Sequence, residues 1–148
     1  MEIQIRRLCA GDLDAVSRIE AASFTMPWSR EAFERLLTDP HSLYLVAEAE
    51  GQVVGCCGVT DILGEGDINN VAVDPVYRGR GIGRLMLTQL LLQGRELGIR
   101  EFTLEVRVSN ASAIHIYEEL GFVSEGIRPG FYEKPREDAM IMWIRQLT

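Results

Sequence analysis

The strongest chemical signal in this sequence is the run Val71-Ala72-Val73-Asp74-Pro75-Val76-Tyr77-Arg78-Gly79-Arg80-Gly81-Ile82-Gly83-Arg84. Three glycines at alternate positions, Gly79, Gly81 and Gly83, let a tight loop turn its backbone N–H groups towards one point. A helix beginning immediately afterwards adds unpaired N–H groups and the positive end of its dipole. Arg78, Arg80 and Arg84 supply charge. The run therefore reads as a pyrophosphate cradle, set against the plainer alternative of a structural strand-to-helix turn. It is not a Walker loop, because no Gly-Lys-Ser/Thr follows. It is not a dinucleotide fingerprint either, since the spacing differs from Gly-x-Gly-x-x-Gly and the loop follows the fourth strand rather than the first.

The distribution of charge supports an anion at this point. From Pro75 to Arg95 there is no acidic residue and there are four arginines, so against a net charge of −7 the rest of the chain carries −11. An acidic protein with one basic island suits a small anionic ligand and speaks against general nucleic-acid binding, which needs a basic face. His41 and His115 are too scattered for a metal site, and no metal is expected. Of three cysteines, Cys56 and Cys57 are neighbours in a strand-like stretch and point to opposite faces, which suits neither a disulfide framework nor a zinc knuckle.

The elements that position the loop can be read from periodicity. Ile3 to Leu8 forms a first strand, and Asp12 to Ala22 a helix with Leu13, Val16 and Ile19 on one face. Met26-Pro27-Trp28 breaks the chain, and Ser29 caps a short helix through Leu37. Ser42 to Glu50 and Val53 to Ile62 make a hairpin about Gly51, and Ile68 to Val73 a fourth strand. The helix Ile82 to Leu97, with Ile82, Leu85, Met86, Leu90 and Leu97 near one face, leads to a strand from Phe102 to Val106 and a helix from Ala111 to Leu120. Closing strands run from Phe122 to Gly126 and from about Ala139 to Leu147. The order implies an α/β (α+β) class: a mixed sheet of about seven strands with one parallel crossover and helices on both faces. With 148 residues and no linker or repeat, residues 1–148 read as one domain. No run is long enough to span a membrane, and the N-terminus alternates like a strand instead of carrying a signal peptide's apolar core, so a cytoplasmic location is expected.

At the loop the sequence resembles the Gcn5-related N-acetyltransferase (GNAT) family, whose coenzyme A pyrophosphate pattern Arg/Gln-x-x-Gly-x-Gly/Ala is met by Arg78, Gly81 and Gly83. The resemblance spans the chain and is closest to the bacterial RimI type, the ribosomal-protein-alanine acetyltransferases. Pro27-Trp28-Ser29, Asn70-Val71-Ala72-Val73, Leu104-Glu105-Val106-Arg107, Ser109-Asn110-Ala111, Ile116-Tyr117-Glu118, Leu120-Gly121-Phe122, Tyr132 and Glu137-Asp138-Ala139 carry it. It implies the GNAT fold and acetyl-coenzyme A as cosubstrate. The pyrophosphate would lie on Arg78, Gly79, Arg80, Gly81, Ile82 and Gly83. The pantetheine arm would lie along the backbone of Val71, Ala72 and Val73, where the fourth and fifth strands splay.

The chemistry implied is attack of a neutral amine on a thioester. A protein α-amine titrates near 8 and a lysine near 10.4, so either must lose a proton first. Glu105 stands with Thr103 and Arg107 on the polar face of its strand. It is either a solvated glutamate or, as the resemblance implies, the base. Tyr117 shares a helix face with Ala113, Ile114 and Leu120. A packed ring is its plain role, and the resemblance makes its hydroxyl the acid for the leaving thiolate. Ser109 or Asn110 caps that helix, and by resemblance the Asn110 side chain also contacts the cofactor.

Trp28 and Tyr132, the latter in a loop between the last strands, either wall an acceptor groove or simply pack. The RimI resemblance implies the N-terminal alanine of the eighteenth small-subunit ribosomal protein as acceptor. The sequence departs from that type at Met26, where phenylalanine is common, and at Gly130-Phe131, where Asn-Tyr is expected. Two rival readings stay open: acetylation of a small amine, and a silent acyl-coenzyme A sensor. Retention of both Glu105 and Tyr117 speaks against the sensor.

Overall fold

The structure, a computed structural model, describes residues 1–145. The chain runs β1 (Ile3–Arg7), α1 (Leu13–Ser23), α2 (Arg30–Leu36), β2 (Ser42–Ala49), β3 (Gln52–Ile62), β4 (Glu65–Val73), α3 (Ile82–Glu96), β5 (Glu101–Arg107), α4 (Ala111–Glu119), β6 (Val123–Tyr132) and β7 (Glu137–Ile144). All seven strands form one mixed sheet in the order β1-β2-β3-β4-β5-β7-β6. β1 to β4 make an antiparallel meander, α3 crosses to a parallel β5, and β7 inserts between β5 and β6.

Alternation along the central strands divides the core between the two faces. Leu43, Leu45, Ala47 and Cys57 join the cluster under α3 and α4, while Tyr44, Val46 and Cys56 join the cluster under α1 and α2. A period of two lets one strand feed both layers. On α3 the buried stripe is Ile82, Met86, Leu87, Leu90 and Leu91. Leu85 and Leu97, read as core-facing in the sequence, are 38% and 56% exposed, because one lies a helical step off the stripe and the other follows the last turn. No helix among the described residues is long and apolar enough to cross a membrane.

β6 is the element least visible in the sequence. It runs to Tyr132 instead of ending at Gly126, so Tyr132 is the last residue of a strand, opposite Glu137, and does not lie in a loop. Register breaks at Ser124/Gly126 and Arg128/Tyr132 disturb the alternation there, and the strand lies exposed at the sheet edge. β7 begins two residues earlier than expected, and the expected end of that strand at Leu147 lies outside the described residues.

Candidate active site

The cleft originates in an interrupted ladder. β4 and β5 pair in parallel only over Glu65–Asp67 and Glu101–Thr103. Beyond Asp67 and Thr103 the strands part, and among the described residues the β5-facing backbone edge of residues 68–73 has no strand partner. The gap opens into a cleft of about 820 Å³ that takes in Val71, Glu105, Asn110 and Tyr117 from its sides and Trp28 and Tyr132 from its rim. A second concavity of about 710 Å³ lies between α2 and the β2–β3 hairpin and contains Trp28 but none of the other residues just named.

The β4 edge is shaped by a bulge. Cys56 pairs with Ala72 and Gly58 with Asn69, so Asn70 and Val71 together oppose Cys57. Asn70 takes φ 55°, the left-handed region that asparagine tolerates better than most side chains. Past the strand, Asp74 accepts a hydrogen bond from the Val76 N–H at 3.0 Å and starts the glycine loop. Gly79 and Gly81 have φ 78° and 80°, and a Cβ on either would meet nothing within 4 Å. Backbone conformation, not lack of room, is what requires glycine there.

Gly81 is the N-cap of α3, and the Ile82 side chain is buried in the core, so the loop delivers its polar groups through the backbone. Gly83 lies in the first turn. Arg78 reaches back to the strand and to α1, donating from Nε to the Val73 carbonyl at 3.1 Å and from Nη2 to Ser23 Oγ at 3.3 Å. Arg80 stacks over the Tyr77 ring at 5.2 Å, and Arg84 pairs with Glu119 of α4.

Glu105 is half-buried, and burial pushes its carboxyl above the ordinary glutamate range. Asp67 on β4 adds to the rise and Arg128 on β6 opposes it. Among the described residues its side chain makes no salt bridge. Tyr117 is 8% exposed, its ring edge-on to Phe122 at 5.8 Å. Burial raises its phenol well above the usual value, with smaller contributions from Tyr132 and Cys57. Asn110 caps α4, its Oδ1 accepting from the Ala113 N–H at 3.3 Å.

The aromatic rim is held by polar contacts that the sequence did not announce. The Arg107 guanidinium lies 4.4 Å over the Tyr132 ring. It also donates to the carbonyls of Pro135 and Glu133 and pairs with Glu137 at 3.2 Å. Glu137 in turn accepts from the Ser109 N–H at 2.8 Å, so one arginine fastens the β6–β7 turn to the entry of α4. Burial and the neighbouring Glu105 push the Tyr132 hydroxyl up to about 12. Trp28 is 37% exposed and packs on Phe33 at 5.5 Å.

Sequence reasoning gave no role of their own to Glu20 and Asn70, which line the cleft, or to Asp67, which acts on Glu105. For Glu20 a signal existed: an acidic residue one turn beyond Val16, on the apolar stripe of its helix. The importance of Asn70 and Asp67 comes from the bulge and the splay, which are tertiary. No group of three or more histidine, cysteine, aspartate or glutamate side chains among the described residues is placed to hold a metal.

The chain resembles known acetyltransferases over most of its length. The family model described as "Acetyltransferase (GNAT) family" matches residues 13–122. A relative from Bacillus subtilis is 38% identical over 141 residues, covering 95% of this chain and 93% of that one. The ribosomal protein bS18-alanine N-acetyltransferase of Escherichia coli K12 is 35% identical over 133 residues, covering 88% and 89%. The crystal structure of the E. coli ribosomal-protein-S18-alanine N-acetyltransferase superposes with a TM-score of 0.90 at 33% identity, over 99% of this chain and 96% of that chain.

Proposed function

Since the chain belongs to the GNAT family and is an N-acetyltransferase, we propose that its acceptor is the N-terminal α-amine of a protein, with the N-terminal alanine of a small-subunit ribosomal protein as the natural target. The observation that carries this reading is similarity over nearly the full length of both chains to the E. coli enzyme named for that substrate. The aromatic rim of Trp28 and Tyr132 around an open cleft is compatible with a peptide end.

GNAT enzymes take their acetyl group from acetyl-coenzyme A, which supplies an activated thioester carbonyl. The residues present fit such a ligand. The open β4 edge offers the backbone of Val71, Ala72 and Val73 as a ladder for an amide-bearing arm. The left-handed Gly79 and Gly81, with the N-terminus of α3, offer N–H groups to a pyrophosphate. Arg78 and Arg80 add positive charge beside the loop, Arg84 being paired with Glu119, and Asn110, which lines the cleft at the start of α4, would border the arm.

Glu105 takes the proton of the acceptor amine, directly or through a water. Burial and the neighbouring Asp67 raise its carboxyl above the ordinary glutamate range, and that rise makes it a better proton acceptor. Backbone N–H groups of the β4 edge stabilise charge on the acetyl oxygen. Tyr117 stays protonated across the working range and hands its phenolic proton to the departing sulfur. The new N–C bond replaces the C–S bond; of the two protons the α-ammonium loses, the one taken by Glu105 returns to solvent and the one shed after N–C bond formation restores Tyr117.

The test is coenzyme A release with a peptide beginning Ala-Arg-Tyr-Phe, beside the same peptide with a blocked α-amine and a lysine-containing control. Turnover only with the free N-terminus is expected. Failure of every peptide with retained acetyl-coenzyme A binding removes the protein acceptor and returns the small-amine and sensor readings.

A further inference from the structure

The mechanism leaves one buried titratable group at the cleft unused. Glu20 sits on the apolar stripe of α1 and is 2% exposed. Its Oε1 accepts from two separate walls: from Asn70 Nδ2 at 2.8 Å, and from the Trp28 backbone N–H at 3.3 Å. Asn70 is the left-handed residue of the β4 bulge, and Trp28 stands on the turn into α2. One oxygen therefore joins the strand edge assigned to the acetyl donor to the aromatic rim assigned to the acceptor.

The same pair carries an unusual deficit. Among the described residues, Glu20 Oε2 and Asn70 Oδ1 are both shielded from solvent and both lack a hydrogen-bond partner. A buried charge without pairing is costly, and burial pushes the Glu20 carboxyl above its ordinary range. An apolar side chain would fill this place in the core without either penalty. That a carboxyl stands here points to the two hydrogen bonds as its purpose.

We propose that Glu20 is a positioning residue for acetyl transfer, holding the β4 bulge through Asn70 and the acceptor rim through the Trp28 N–H so that the two halves of the cleft keep one spacing. The role rests on the acetyltransferase reading and needs a hydrogen-bond acceptor, not a charge. Glutamine supplies the same carbonyl oxygen, and its N–H₂ group can donate to the unpaired Asn70 Oδ1. Alanine supplies neither.

The experiment compares Glu20→Gln, Glu20→Ala, Asn70→Ala and the Glu20→Ala/Asn70→Ala double variant in the full chain. It measures acetyl-coenzyme A affinity by calorimetry, kcat and KM for the acceptor peptide, and amide hydrogen exchange over residues 24–29 and 68–73. Glu20→Gln is expected to stay within about threefold of the parent. Glu20→Ala is expected to lose roughly 10- to 100-fold in kcat/KM, the scale of a misplacement of about 1 Å. Its acetyl-coenzyme A affinity should hold within about twofold, with faster exchange in both segments. Asn70→Ala should lower kcat and speed exchange mainly in residues 68–73, and the double variant should be no worse than Glu20→Ala alone.

Parent-like kcat/KM in Glu20→Ala overturns the proposal. So does a Glu20→Gln enzyme as impaired as Glu20→Ala, which would make Glu20 a base. Should Glu20→Ala fail to fold, Asn70→Ala decides, and a parent-like kcat there is the refuting result. Hydrogen exchange needs no acceptor. If even the parent acetylates no peptide, the N-terminal assignment falls while the exchange rates still decide the clamp.

Discussion

Replacing Glu105 by glutamine separates chemistry from architecture at this site. The side chain is half-buried on β5 opposite Ile141 and makes no salt bridge among the described residues. Glutamine has the same shape and restores a neutral group where burial and Asp67 both disfavour charge. Stability should therefore hold or rise slightly. A positioned general base contributes about 10²- to 10⁴-fold, or roughly 3–5 kcal/mol of barrier, so kcat should fall by about that factor. Acetyl-coenzyme A affinity should change by less than about twofold, because none of the glycine-loop residues lines the cleft that Glu105 borders.

The assay is coenzyme A release against pH for parent and variant, with calorimetry for the donor. The acceptor amine's own ionisation is common to both enzymes and cancels in the ratio of their rates. What remains is the ionisation of Glu105, whose carboxyl is raised. Its advantage is present above the raised value and is lost as pH falls through it, so the ratio should decline at a pH above the ordinary glutamate value of 4.5. A variant that turns over within threefold of the parent, or a ratio that does not change with pH, refutes Glu105 as the base.

Three further outcomes follow from the same geometry. Tyr117→Phe keeps the ring against Phe122 and removes the hydroxyl, so kcat should drop by about 10- to 100-fold with donor affinity and Tm nearly unchanged, as kinetics and a thermal melt will read. Gly81→Ala meets no atom but forces alanine to φ 80°, at a cost of about 1–2 kcal/mol, so acetyl-coenzyme A affinity measured by calorimetry should weaken by roughly 5- to 30-fold with the fold retained. Arg6→Ala breaks a two-pronged pair with Asp12 at 2.8 and 3.0 Å and should cost about 2 kcal/mol, lowering Tm by roughly 4–8 °C. Arg6 holds the Asp12 carboxyl below its ordinary value of 3.8, so that stabilisation is present above 3.8 and is lost as pH falls through the depressed value. The deficit of the variant should shrink in acid melts.

Most of the frame was legible in the sequence because it is local. The period of two in residues 42–62, the period of 3.6 on α1 and α3, the Ser29 and Asn110 caps and the Gly79–Gly81 turn each follow from short-range sterics and hydrogen bonding. β6 escaped because its register breaks disturb the alternation by which a strand is read. The cleft itself lies beyond local rules. Where β4 and β5 part, how Asn70 turns the strand edge, and why Glu20 on a distant helix reaches both Asn70 and Trp28 depend on residues far apart in the chain meeting in space. Glycines and alternation determined by themselves which backbone could cradle an anion. Only the packing of α1, the sheet and the β6–β7 turn decided which side chains border it, since burial and charge proximity are properties of the assembled fold.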